Sequence, residues 1–270
     1  MADAESEPLH RTIVLTDIEG SGSGDDVVRR VRRHHMHEAV QYALEAAGVR
    51  HTDQHLEDRG DGLMALISPL VGKPALLRAL LAEVPARLGA YNRVAADSAQ
   101  VRLRVVVAAG EVTPHRLPGV HGGAYGWDLD QAFRLLDGEP LKRALRERRG
   151  GAEHGDSADM VLCVSESVYQ GVVRHNHRGI RGDSFHEVAV EGKEGLVRGW
   201  LHGRPAPGGT ARGSVPPGTA AGQRLPEVMV LGDAQFGHRY GVTGGHVGGD
   251  VVMGDKIMRA DGDGEGVDGW

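Results

Sequence analysis

Residues 12–20 read Thr-Ile-Val-Leu-Thr-Asp-Ile-Glu-Gly, and residues 57–67 read Glu-Asp-Arg-Gly-Asp-Gly-Leu-Met-Ala-Leu-Ile. The first is an apolar run that breaks off at Asp17, the pattern of a buried strand ending in a carboxylate. The second is a Gly-Asp-Gly turn followed by another apolar run, a tight hairpin that carries Asp61 in its turn. Were these strands antiparallel neighbours, the two carboxylates would meet at one end of a sheet. Like charges that close need a divalent cation between them, or the pKa of one must rise. Hard cations such as Mg²⁺ are held by one or two carboxylates together with substrate phosphates. Either aspartate alone reads as a turn cap; the pair, with its flanks, reads as a site.

Outward from this pair, Gly20 to Gly24 forms a turn into a helix with Asp25 and Asp26 at its positive end. Val27, Val28, Val31, Met36, Ala39, Val40, Ala43 and Leu44 follow at helical spacing, and Gly48 stops the run. Lys73 to Ala96 is helical, Val101 to Ala108 a strand, Asp130 to Arg148 a helix, Met160 to Val164 a strand and Glu166 to His175 a helix. Val188 to Leu201 predicts a final hairpin turning at Glu191 to Gly195. The order β-α-β-β-α-β with additions predicts an α+β, ferredoxin-like antiparallel sheet with helices on one face. This domain is expected over residues 11–202, after a disordered N-terminus over 1–10. A Gly/Pro linker over 203–226 precedes a Gly-rich tail over 227–270. In the tail, Val228 to Leu231 reads as a strand, and Val242, Val247, Val252 and Ile257 recur every five residues. That spacing suits short β rungs or a low-complexity tail.

The chain has 270 residues, 31 Lys+Arg against 37 Asp+Glu and a formal charge of -6, which argues against nucleic acid as a partner. A single cysteine, Cys163, excludes an internal disulfide or a multi-cysteine zinc site and reads as a buried small apolar residue. No run approaches the roughly 20 apolar residues of a membrane span, and residues 1–11 lack the marks of a secretory signal. A soluble, cytoplasmic protein is expected. His34, His35 and His37 read as a helix surface rather than a metal cluster, and Arg29, Arg30, Arg32 and Arg33 as a solvated basic face. Asp261 to Gly266 looks like the opening of a calcium loop without its twelfth-position Glu. Trp127 and Trp200 are expected in the core or at a dimer seam.

Five segments in register resemble the class III nucleotidyl cyclase domain of adenylate and guanylate cyclases. They are Asp17-Ile18-Glu19-Gly20, Gly60 to Ala65, the strand Arg104 to Val112 ending in Gly-Glu-Val, the helix start Gly126 to Leu135, and the hairpin Val190 to Glu194. The resemblance implies that Asp17 and Asp61, with the Ile18 carbonyl, hold two Mg²⁺ or Mn²⁺ ions. It implies that Gly20, Ser21 and Gly22 offer backbone N–H groups to a nucleoside triphosphate, that Arg134 stabilises charge on the α-phosphate, and that Lys193 faces the β- and γ-phosphates. Asp17 and Asp61 would come from one protomer and Arg134 and Lys193 from its partner, in a homodimer with composite active sites. Three positions depart from the family or tune it. Asp130 replaces the asparagine that orients the ribose. Glu57 stands where adenylate-type members carry lysine and suits guanine donors. Gly123 supplies no side chain to the base.

Two functions follow. One is cyclisation of a triphosphate, GTP favoured over ATP, to a 3′,5′-cyclic nucleotide with release of pyrophosphate. The other is a degenerate cyclase-homology module that senses nucleotide or dimerises, with residues 227–270 recruiting a protein partner. The first requires that the two carboxylates converge and that no cation of the same chain neutralises them.

Overall fold

The computed structural model describes residues 7–22, 24–114, 123–148, 158–192 and 195–203, and the backbone of four short strands between 235 and 258. Two units divide the chain, Met1–Ser214 and Val215–Trp270. The first comprises β1 (Leu9–Ile18), α1 (Asp26–Ala46), β2 (Gln54–Asp58), β3 (Gly62–Ile67), α2 (Lys73–Asn92), β4 (Leu103–Pro114), β5 (Ala124–Tyr125), α3 (Trp127–Asp137), α4 (Glu139–Arg148), β6 (Met160–Ser165), α5 (Glu166–Gly171), β7 (Phe185–Gly192) and β8 (Gly195–His202). One sheet runs β2-β3-β1-β4-β6-β8-β7, with β5 paired to β4. The first four of these strands, with α1 and α2, form the expected β-α-β-β-α-β unit, and all their pairings are antiparallel.

Side-chain alternation explains why these strands read as almost continuous apolar runs. On β1, Val14 and Ile18 pack with Leu44 of α1 and Leu80 of α2, whereas Ile13 and Leu15 pack with Leu129 of α3 and Leu141 of α4. Both faces of the sheet are therefore buried, and no polar alternation survives in the sequence. Two expectations are corrected here. Helices lie on one face only for the core unit; the added α3 and α4 cover the other. The sheet is antiparallel in the core unit, but β4 and β6 pair in parallel, Leu103 opposite Met160.

Local chemistry accounts for most element ends. Asp25 caps α1 by accepting a hydrogen bond from Val28 N at 2.9 Å. The helix expected over 130–148 divides at Gly138, because Pro140 in the first turn of α4 cannot continue α3: it lacks the N–H and its ring crowds the carbonyl four residues back. The helix expected from Glu166 ends at Gly171 and gives way to short 3₁₀ turns, with Asn176 left-handed at φ 54°. β1 starts at Leu9, two residues before the expected domain boundary. In the second unit, Gln235–Phe236 pairs with Val242–Thr243, and Val251–Met253 with Lys256–Met258, both antiparallel, with Val252 opposite Ile257. The strand expected at 228–231 and the calcium-like segment at 261–266 lie outside the described residues. Among the described residues no helix is long and apolar enough to cross a membrane.

Two packing constraints yield tests. Cys163 is wholly buried, and burial pushes its thiol up to about 12. The native protein at pH 8 is expected to leave a thiol reagent unreacted until denaturant is added. At Gly62, a Cβ would fall inside the van der Waals shell of the Thr16 carbonyl oxygen. Gly62→Ala is expected to cost about 2 kcal/mol, as overpacking does, measured by urea unfolding.

Candidate active site

The site begins with the pairing of β1 and β3. Asp17 lies opposite Gly62, and Ile18 N donates to the Asp61 carbonyl at 3.0 Å, so both carboxylates emerge at the same end of adjacent strands. The turn that delivers Asp61 needs its two glycines for different reasons. Gly60 has φ 89°, a left-handed conformation that favours glycine, and Gly62 allows the close approach to β1. Ser21 Oγ donates to Asp61 Oδ2 at 2.6 Å, which ties the β1–α1 loop to the turn.

Asp17 has a partner that the sequence reading missed. Its cross-strand neighbour on β4 is Arg104, whose Nη2 donates to Asp17 Oδ2, while Nη1 donates to the Leu136 carbonyl of α3 at 3.1 Å. The requirement that no cation of the same chain neutralise the pair is therefore not met at Asp17. Burial raises the Asp17 carboxyl above its ordinary range; Arg104 pulls it back down, and the charge of nearby Asp61 adds to the rise. Arg104 Nε is buried without a hydrogen-bond partner, so the guanidinium is incompletely satisfied where it stands.

Asp61, Ile18, Ser21 and Gly22 line a cavity of about 290 Å³, closed on its other side by Arg29, Arg32 and Arg33 of α1. Those three arginines are not simply the solvated face that their sequence suggested. His34 and His35 share Glu38 on the surface at 3.3 and 3.1 Å, and His37 lies 3.7 Å from Asp58. Among the described residues no three His, Cys, Asp or Glu side chains are grouped to hold a metal. The donors at the strand ends are two carboxylates and a carbonyl, all hard oxygens. Hard oxygens of that kind are the donors that Mg²⁺ or Mn²⁺ takes, too few here for an all-protein cage, and Arg104 holds one of the Asp17 oxygens.

The other expected site residues lie elsewhere. Arg134 lines a second cavity of about 440 Å³ with Trp127, Asp128 and Gln131, and its Nη1 stands 2.6 Å from where a Cβ on Gly192 would be. The two cavities are distinct. Ala108, in the wall of the second, is four residues along β4 from Arg104, roughly 13 Å at the usual strand rise. Asp130 is exposed in the first turn of α3, its N–H donating to the Gly126 carbonyl at 3.0 Å. The acidic residue of that turn that faces the sheet is Asp128, which accepts from Glu111 N at 3.3 Å. Glu57 Oε1 pairs with Arg59 at 2.8 Å, and its Oε2 is buried without a hydrogen-bond partner. Arg59 in turn stacks over Phe133 of α3, 4.9 Å from the ring centre. Gly123 precedes β5 at φ 111°, and Lys193 lies outside the described residues. Trp200 is buried against Tyr169, whereas Trp127 is 63% exposed and is not a core residue.

Removing one member of a partly buried ion pair leaves the other uncompensated. Arg104→Met is expected to destabilise the chain by about 3 kcal/mol. Adding Asp17→Leu should recover part of that loss in a double-mutant cycle read by urea unfolding.

No protein-family model matches the chain. No curated protein matches it either. Solved structures do resemble it. An adenylate/guanylate cyclase/hydrolase from Silicibacter pomeroyi is 17% identical, with a TM-score of 0.50 over 74% of this chain and 99% of that one. The guanylyl cyclase Cya2 is 16% identical, with a TM-score of 0.48 over 76% and 98%. The guanylate cyclase domain of RhGC from Catenaria anguillulae, in complex with GTP, is 15% identical with a TM-score of 0.45 over 73% and 97%. At such identities the likeness concerns fold, and it is the Silicibacter comparison that carries it. The chain has the fold of a class III nucleotidyl cyclase catalytic domain.

Proposed function

We propose that the protein binds a nucleoside triphosphate with Mg²⁺ or Mn²⁺ and closes it to a 3′,5′-cyclic nucleotide, releasing pyrophosphate. The observation that carries this reading is that Asp17 and Asp61 emerge at the same end of the neighbouring strands β1 and β3, Asp61 into a cavity walled by cations. In this reading Asp17, released from Arg104, would hold the ion together with Asp61 and the Ile18 carbonyl. The bound ion would lower the pKa of the ribose 3′-hydroxyl and offset the charge of the triphosphate. The backbone of Gly20, Ser21 and Gly22 orients the phosphates. The 3′-hydroxyl gives up its proton to solvent as its oxygen forms the bond to the α-phosphorus and the bond to pyrophosphate breaks, and Arg134 would stabilise the charge gathering on the α-phosphate.

A homodimer belongs to the same proposal. Arg134 lies in a separate cavity of its own chain, which supports its serving a triphosphate at Asp17 and Asp61 of a second protomer, with Lys193 beside it. Trp127 at 63% and Leu196 at 65% exposure, both on the rim of the Arg134 cavity, offer apolar surface for that contact. In this reading Glu57 would favour GTP over ATP, a carboxylate being an acceptor for the N1–H and amino donors of guanine, once it turns from Arg59. Gly123 and Asp130 adjoin the base and ribose in this arrangement.

A second reading has its own support. Asp17 is engaged by Arg104 and Asp130 points to solvent, as in a degenerate domain that binds nucleotide without turnover. Residues 227–270 would then recruit a partner.

The purified protein incubated with each of the four triphosphates and Mn²⁺ separates the two. Cyclic product is expected from GTP above ATP, falling at least about 10²-fold in Asp17→Ala and in Arg134→Ala, as loss of a transition-state contact does. Nucleotide binding by calorimetry with no cyclic product, unchanged in Asp17→Ala, would establish the second reading.

A further inference from the structure

The wall that α1 gives to the smaller cavity has a chemistry of its own. Arg29, Arg32 and Arg33 stand at i, i+3 and i+4, which puts three guanidinium groups on one helix face. Against them the cavity lining offers, among the described residues, a single carboxylate, Asp61. The three are not equivalent. Arg32 is only 8% exposed and donates to the Gly20 carbonyl at 3.3 Å and the Ser98 carbonyl at 2.5 Å, so it fastens the β1–α1 loop and fixes a positive charge beneath it. Arg29 and Arg33 are half exposed and meet Asp26 at 2.9 Å and Asp58 at 2.7 Å, carboxylates that are themselves open to solvent. Pairs of that kind contribute little and are readily exchanged. A multiply charged anion that engages both arginines in fork geometry would displace them.

We infer that this cavity binds a polyphosphate chain through Arg29 and Arg33 without needing a divalent metal. Its volume of about 290 Å³ is just under the roughly 300 Å³ at which ligand pockets start. That suits two or three linked phosphates better than an entire nucleotide. The inference deepens the triphosphate reading and rests on it for the identity of the natural ligand, which would be the terminal phosphates of the substrate and then the released pyrophosphate. The binding itself does not depend on turnover.

Calorimetry of the full chain with inorganic tripolyphosphate in EDTA tests this directly. Saturable binding is expected. It should be at least about tenfold weaker in Arg29→Ala/Arg33→Ala, since two charge-assisted contacts are lost. Arg30→Ala, which removes the same charge from the same helix but not from the cavity wall, should change the affinity less than about twofold at physiological salt. Arg29→Lys/Arg33→Lys keeps the charges and guards against loss of fold, and it should retain more affinity than the alanine pair. Absence of binding in EDTA, or equal weakening by Arg30→Ala and the alanine pair, would overturn the inference. Binding that depends on Arg29 and Arg33 in a chain that forms no cyclic product would leave it standing while removing the enzymatic reading.

Discussion

The close approach of β3 to β1 at Gly62 is the constraint on which the candidate site depends. No other residue lets the Thr16 carbonyl and the start of β3 come so near. That approach sets the register in which Asp17 lies opposite Gly62, one position from Asp61. A slip of one residue would turn Asp17 towards α1 and α2 and send the apolar set of β1 to the wrong faces. The two buried layers thus hold the carboxylates in register: Val14 and Ile18 on one side, Ile13 and Leu15 on the other.

Electrostatics at the strand ends then divide between two sets of arginines. Arg104 sits on the β4 side, between the Asp17 carboxylate and the C-terminal end of α3, where the helix dipole favours a cation. Arg29, Arg32 and Arg33 sit on the α1 side, against the cavity that Asp61 enters. In the isolated chain the guanidinium of Arg104 stands at the carboxylate to which the proposed function assigns the divalent ion. Arg104 Nε is left without a hydrogen-bond partner there, while its Nη1 and Nη2 hold the Leu136 carbonyl and the Asp17 carboxylate.

Much of this was legible in the sequence, for local reasons. The carboxylate-ended strand, the Gly-Asp-Gly turn and the acidic helix start at Asp25 and Asp26 each rest on contacts within a few residues, and each matches the structure. The ferredoxin-like unit followed from element order alone. What escaped were consequences of long-range register. Arg104 interrupts the apolar run of β4, and its parity with Asp17 follows only once β1 and β4 are known to pair Thr16 with Val105. The α1 arginines showed helical spacing, but nothing local says that a turn some 30 residues away closes a cavity over them. The second layer of helices was missed because a fully apolar strand tells of burial without saying what covers each face.

Whether Asp17 and Asp61 act together on a divalent ion is measured most directly by Mn²⁺ electron paramagnetic resonance on the purified protein, with and without a non-cyclisable triphosphate analogue. The account predicts bound Mn²⁺ only when the analogue is present, and its loss in Asp61→Asn. Mn²⁺ binding that is absent in both conditions, or unchanged by Asp61→Asn, would contradict it.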